Sequence, residues 1–253
     1  MSTAERVSAT DSSDNYVLQR SIFAYLEAAK IVKGTVLEIG TGSGYGVKYI
    51  APTVEKFITI DKFVCDVDFK SYPNVEFRQQ TVPPFTNVAD NSVDFVVTFQ
   101  VIEHIQNDDL YVKEIARVLK PGGKLIVTTP NRIMSLSRNP WHIREYKPNE
   151  LTVLLKKHFS SVDTKGVFGN ELVMDYYNKN KESVNKVMKY DIFNLQWILP
   201  RQVLQVPYDI MNRRNRKKLL QSNNDLTAGI TASDFYLNEV SDACLDLFYI
   251  SQK

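Results

Sequence analysis

Two clusters of residues in this sequence have the types and spacing to do chemistry. The first is VLEIGTGSGYG at positions 36–46, where Glu38 precedes Gly40, Gly42, Gly44 and Gly46. Glycine gives up more backbone freedom on folding than any other residue, so such a cluster implies that something must approach the backbone closely. A dinucleotide fingerprint, G-x-G-x-x-G, needs its third glycine at 45 or 47, but those residues are Tyr45 and Val47. The register therefore disfavours a nicotinamide-dependent oxidoreductase. The second cluster consists of histidines. His104 lies in QVIEHI beside Glu103, and His142 lies in RNPWHIREY. Imidazole is the side chain whose ordinary pKa suits proton transfer near neutrality, so each is a candidate general base, weighed against the commoner structural role. His158, the remaining histidine, follows LTVLLKK and reads as a helix-end residue favoured by the helix dipole.

The surrounding pattern supplies elements to position these residues. Residues 15–32 repeat apolar side chains at helical spacing and stop before Gly34. TVLEI (35–39), FITI (57–60), VEF (75–77), VDFVVTF (93–99) and KLIVTT (124–129) read as strands. Between the last two, Asp108 or Asp109 can cap a helix facing inward through Val112, Ile115, Ala116 and Leu119, closed by Lys120-Pro121-Gly122-Gly123. Strands alternating with helices imply an α/β domain with a mainly parallel sheet, and in such sheets ligands sit at the carboxyl ends of the strands. Both the glycine turn and the two loop histidines fall on that rim.

The pattern E-x-G-x-G-x-G from Glu38 resembles the first motif of class I S-adenosylmethionine-dependent methyltransferases. NSVDFVVTFQVIEHI resembles their fourth-strand motif, and RVLKPGGKLIVTTPN their next helix, turn and fifth strand. CLDLFYISQK resembles their last strand. The resemblance implies a Rossmann-like, seven-stranded, mainly parallel α/β sheet with helices on both faces and an antiparallel last strand. It also implies S-adenosylmethionine as cofactor. Glu38 and the amides of Gly40, Gly42 and Gly44 would hold its methionine end, with Asp61, 21 residues after Gly40, at the ribose. The turn after the third strand, RQQTVPPF, lacks the acid usual in the family, which leaves Gln80, Thr81 and the Val82 amide for the adenine. Phe99 and Gln100 would line the pocket near the methyl group. VIEHI is also similar to quinone-biosynthesis methyltransferases and to relatives acting on lipids and glycans. Some of those hold a divalent cation with an extra acid where this chain has Gln100. An amide is a weaker ligand, so the reading here is no metal, with Glu103 and His104 holding the loop.

The expected reaction is methyl transfer to a small-molecule, lipid or glycan acceptor, with oxygen the favoured atom. A catalytically silent S-adenosylmethionine-binding sensor or partner subunit is the alternative. Composition narrows the partners. The chain has 253 residues and a formal charge of +2, with Cys65 and Cys244 far apart, which fits a reducing, cytoplasmic compartment. Residues 1–14 read as a flexible tail ahead of a domain over 15–253. A helical insertion is expected at about 170–230. It carries an apolar, aromatic stretch around Trp197 and then the cations Arg213, Arg214, Arg216, Lys217 and Lys218. Trp197 is expected to face the core or the acceptor, and the five cations to face outward. The insertion reads as a lid with a solvated face, or, more sharply, as a peripheral contact with an anionic membrane. No stacking platform accompanies the charge, so no nucleic-acid partner is expected.

Overall fold

The structure, a computed structural model, describes residues 7–8, 10–65 and 67–253. The β-branched runs form strands where the pattern places them: β1 (Thr35–Ile39), β2 (Lys56–Asp61), β3 (Val75–Gln79), β4 (Val93–Phe99) and β5 (Leu119–Pro130). They are followed by β6 (Ser161–Gly169), β7 (Phe235–Glu239) and β8 (Asp246–Gln252). The sheet order is β3-β2-β1-β4-β5-β8-β6-β7. β1–β5 run parallel, while β8 is antiparallel to both β5 and β6. The connectivity changes direction between β1 and β4, and the crevice outside the carboxyl ends of these two strands is the place such sheets reserve for a ligand.

The sheet has eight described strands against the seven expected. The additional strand is β7, which pairs antiparallel with the outer edge of β6 from Gly169↔Phe235 to Lys165↔Glu239. It is short and half exposed, so its alternation is weak in sequence. β5 begins earlier than expected, at Leu119. Its register with β4 jumps from Val93↔Leu119 to Phe95↔Lys124, and the Pro121–Gly123 turn bulges out between them.

Helices cover both faces because alternate strand residues point to opposite sides. On one face Val36, Phe57 and Phe95 pack with α1 (Asn15–Ala29); on the other Leu37, Ile58 and Val96 pack with α3 (Asp108–Val118) and α4 (Pro148–Leu155). α2 (Val47–Ile50) is one turn after the glycine loop. The cap of α3 is Asn107, whose Oδ1 accepts from the Leu110 amide at 3.0 Å; Asp108 and Asp109 occupy the first turn instead.

The segment between β6 and β7 is helical: α5 (Glu171–Met188), α6 (Leu195–Ile198), α7 (Arg201–Ser222) and α8 (Asn224–Gly229). It is anchored in the core. Val173, Tyr176 and Leu219 are buried, and the Tyr176 ring stacks on Tyr16 of α1 at 4.4 Å. Arg216 is not outward-facing: it pairs with buried Asp14 at 2.7 Å. Trp197, expected at the core or acceptor, is exposed, with the Arg138 guanidinium over its ring. The expected tail of residues 1–14 lies partly outside the described residues, and its described part is packed. Ser12–Asp14 form a 3-10 turn, and buried Val7 accepts a hydrogen bond from Ser43 Oγ at 2.8 Å.

Candidate active site

The turn after β1 shows what its glycines are for. Gly40, Gly42 and Gly44 all have positive φ, at 93°, 57° and 79°. A Cβ on Gly40 would strike Val101 and one on Gly44 would strike Val67, at 2.4 and 2.0 Å. A Cβ on Gly42 would meet no protein atom within 4 Å, because its backbone faces a cavity. Gly44 therefore serves packing, and it does not line the cavity.

Glu38 is likewise displaced from its expected place. It is buried beneath the loop rather than lining the cavity, and accepts hydrogen bonds from Tyr25 Oη at 2.6 Å and from Thr59 Oγ1. Burial raises its pKa from 4.5 to about 7, against the lowering effect of those two donors. Thr41 of the loop hydrogen-bonds Thr59 in turn, so the carboxylate braces the turn from below. With Glu38 held below, Gly40, Thr41 and Gly42 of the loop line the cavity.

The cavity, about 1060 Å³, opens over the crevice between β1 and β4. That exceeds the size usual for one small ligand, giving room for a cofactor and an acceptor together. Of the residues the sequence nominates for the cofactor, Gly40, Gly42, Asp61, Gln80, Thr81, Val82, Phe99 and Gln100 all line it. Asp61, at the end of β2, accepts from the Gly42 amide at 2.8 Å and the Phe63 amide at 2.9 Å, which fixes its carboxylate against the loop. Gln80 donates to the Pro84 carbonyl at 2.7 Å, while its Oε1 is a buried acceptor with no hydrogen-bond partner. An exposed loop backbone, a fixed carboxylate and an unsatisfied amide oxygen suit an adenosyl ligand bearing ribose hydroxyls and an exocyclic amine. Phe99 packs edge-on against Tyr25 at 4.8 Å, and Gln100, at φ 57°, donates to Thr128 Oγ1 at 3.3 Å.

The second half of the cavity is walled by the loop after β5 and by the insertion. Both candidate histidines line it, with ring centroids 4.9 Å apart and edge to face. His104 Nδ1 meets the Trp141 carbonyl at 3.1 Å, a bond in which only the ring can donate. That places a proton on Nδ1. His142 Nδ1 meets Glu145 Oε1 at 2.6 Å, and Asn139 Nδ2 lies 2.9 Å from Nε2. Ser135 Oγ donates to the other Glu145 oxygen at 2.5 Å. Buried Glu103 accepts from Thr129 at 3.0 Å, and its carbonyl accepts from the Ile143 amide at 2.7 Å, which docks the loop on the rim. Burial raises the Glu103 pKa, while His104 and His142 lower it. Ligand atoms of Glu103, His104 and His142 lie within 4.8 Å of one another, close enough to meet at a metal ion. Each also makes a protein hydrogen bond that locks the loop.

Sequence reasoning missed several wall residues. Arg20 of α1 lines the cavity, fixed by its Nε at 3.1 Å from the buried Asp246 carboxylate. A signal existed: an acid within the apolar strand CLDLFYI demands a cation. Glu145, Tyr25 and the inner faces of α5 and α7, including Tyr177, Leu204 and Tyr208, come from distant segments whose convergence sequence periodicity does not reveal.

Comparisons with known proteins bear on the family and the fold. A family profile described as a methyltransferase domain matches residues 37–127. A probable S-adenosylmethionine-dependent methyltransferase of Mycolicibacterium smegmatis is 40% identical over 175 residues, 66% of this chain and 68% of that protein. A ubiquinone biosynthesis O-methyltransferase of Chelativorans sp. is 26% identical over 114 residues, 42% of this chain and 45% of that enzyme. Among solved structures, the YcgJ protein of Bacillus subtilis superposes with a TM-score of 0.55 at 18% identity, covering 92% of this chain and 98% of that one.

Proposed function

The chain belongs to the S-adenosylmethionine-dependent methyltransferases, and we propose that it methylates an oxygen of a small hydroxylated acceptor, free or linked to a lipid or glycan. When bound, the cofactor supplies a methyl group activated on a sulfonium and leaves as S-adenosylhomocysteine. The glycine loop at Gly40 and Gly42 would let its amino-acid end approach the backbone closely, and the Arg20 guanidinium, which lines the same cavity, would meet the carboxylate. Asp61 would accept from the ribose hydroxyls, and Gln80 Oε1 from the adenine amine, with Thr81 and the Val82 amide completing that end. Phe99 and Gln100 would flank the reacting region.

His104 carries the reading at oxygen. Its Nδ1 proton is held by the Trp141 carbonyl, which turns the ring so that Nε2 would be the atom to take the acceptor's hydroxyl proton as attack proceeds. The His142–Glu145 pair stands edge-on to it and holds that wall in place. Tyr25, Phe99 and Tyr177 make part of the remaining surface aromatic, which would help to keep water from the acceptor. The similarity to a ubiquinone biosynthesis O-methyltransferase supports the same atom. A neutral amine acceptor would need no such base. The test is label transfer from methyl-labelled cofactor to matched phenol, alcohol, amine and thiol acceptors. Label is expected on hydroxyl oxygen, with loss in His104→Asn. Transfer confined to amines and indifferent to that substitution would overturn the proposal.

A further inference from the structure

The tip of the insertion exposes apolar side chains on a scale that a solvated lid does not require. Between α5 and α7, Tyr190, Ile192, Phe193, Trp197 and Ile198 are all exposed, Tyr190 by 87% and Trp197 by 64%. The exposed face continues along α7 through Val203, Val206 and Ile210. Four residues further on, the same face turns cationic, with exposed Arg214, Lys217 and Lys218. At 100° per residue, these six α7 positions fall within about 120° of one another on the helix. The apolar part spans roughly 10 Å of helix and the first cation follows about 6 Å beyond, at 1.5 Å rise per residue. The adjoining face of α7, with Leu204, Tyr208 and Met211, lines the cavity.

From this arrangement we infer that the α5–α7 tip docks on an anionic phospholipid bilayer, inserting its apolar end while the cations of α7 meet the headgroups. Interfacial segments bury their apolar side about 5–10 Å deep, which matches the apolar length here. Exposed Trp and Tyr suit the interface, where an amphipathic ring is stable at headgroup level. Anionic headgroups complement the cationic end, whereas a second copy of the chain would bring cations against cations. No described helix is long and apolar enough to cross a membrane, so the contact lies on the surface. Tyr190, Leu195 and Leu204 of the tip also border the cavity, so a lipid-borne acceptor would reach the site directly from the bilayer. That last point rests on the acceptor proposed above. The docking itself is tested without acceptor or methyl donor, so the two can fail separately.

The experiment is co-sedimentation of the full chain with vesicles of phosphatidylcholine alone or mixed with phosphatidylglycerol, at low and high salt. One triple variant, Phe193→Ser/Ile198→Ser/Val206→Ser, removes apolar tip groups that lie outside the cavity. The other, Arg214→Gln/Lys217→Gln/Lys218→Gln, removes the cations. Thermal stabilisation by S-adenosylhomocysteine confirms that each variant is folded. The natural sequence is expected to bind the anionic vesicles in a salt-sensitive way. The apolar triple should lose at least about tenfold in partitioning at either salt. The cation triple should lose on the order of a hundredfold at low salt and cease to distinguish the two vesicle types. Failure of the natural sequence to sediment would overturn the inference, as would unchanged binding of either triple. So would a dimer in sedimentation velocity that the apolar triple converts to monomer, which would give the patch to a second copy.

Discussion

Asp61 meets two demands with one carboxylate: it accepts two loop amides and would accept the ribose hydroxyls as well. Removing it in Asp61→Ala should weaken S-adenosylhomocysteine binding by about 10–100-fold, since hydrogen bonds to a charged group contribute ~1.5–3 kcal/mol; titration calorimetry measures this. His104→Asn separates chemistry from binding. Turnover should drop by ~10²–10⁴ while affinity for S-adenosylhomocysteine stays near that of the natural sequence; unchanged turnover would remove the base. Glu38 makes a different prediction, in stability. Its folded pKa of about 7 lies above the ordinary 4.5. Between those values the folded chain keeps a proton that the unfolded chain has released, so this group's contribution is full below about pH 4.5 and is lost as pH rises through 7. In Glu38→Gln that part of the pH dependence should vanish, which melting temperatures measured from pH 5 to 8 would show.

At the scale of elements, the glycine loop and α7 each combine two tasks that substitution can separate. Gly44→Ala places a Cβ against Val67 and should destabilise the fold, whereas Gly42→Ala meets open space and should mainly impair cofactor binding. At both positions the positive φ adds a strain of about 1 kcal/mol or more. On α7, neighbouring cations have opposite fates. Arg216 offsets the charge of buried Asp14, so Arg216→Met should cost about 3 kcal/mol by stranding that carboxylate. Exposed Arg214→Gln should change stability by no more than about 0.5 kcal/mol. Urea unfolding of the two variants tests the contrast; equal costs would place Arg216 on the solvated face with the others. Because Tyr176, Leu219 and Arg216 reach into the core, the insertion is part of the folding unit, and point changes probe it better than excision.

For the whole molecule, one ligand in the cavity would bridge segments far apart in sequence: α1, the glycine loop, the turn after β3 and the rim beyond β4. Binding confined to the folded state should therefore stabilise the entire domain. At a ligand concentration of 100 times Kd the gain is about 2.7 kcal/mol. For a chain of this size that corresponds to a rise in Tm of roughly 5–10 °C. A thermal-shift series should show it with S-adenosylmethionine and S-adenosylhomocysteine and not with NAD. A comparable shift with NAD would contradict the glycine register.

The sheet and its ligand rim were legible in the sequence because they depend on local signals. β-branched runs mark strands, helical periodicity marks α1 and α3, and glycine spacing marks the turn. Gly40, Gly42, Asp61 and Gln80–Val82 came from the motifs that resemble a known family, and they line one cavity because a parallel sheet brings its carboxyl ends to one rim. What each side chain faces was decided only in three dimensions. Glu38 turned inward because strand residues alternate between faces. Gly44 proved to be a packing glycine because Val67, 23 positions away, fills the space beside it. His104 acquired a defined Nδ1 proton only from the Trp141 carbonyl, and His142 gained Glu145 and Asn139 from its own folded loop. The inward turn of Arg216 and the exposure of Trp197 depend on how the insertion meets α1 and residues 12–14. Periodicity gives a helix its faces. Only long-range packing determines which face is covered.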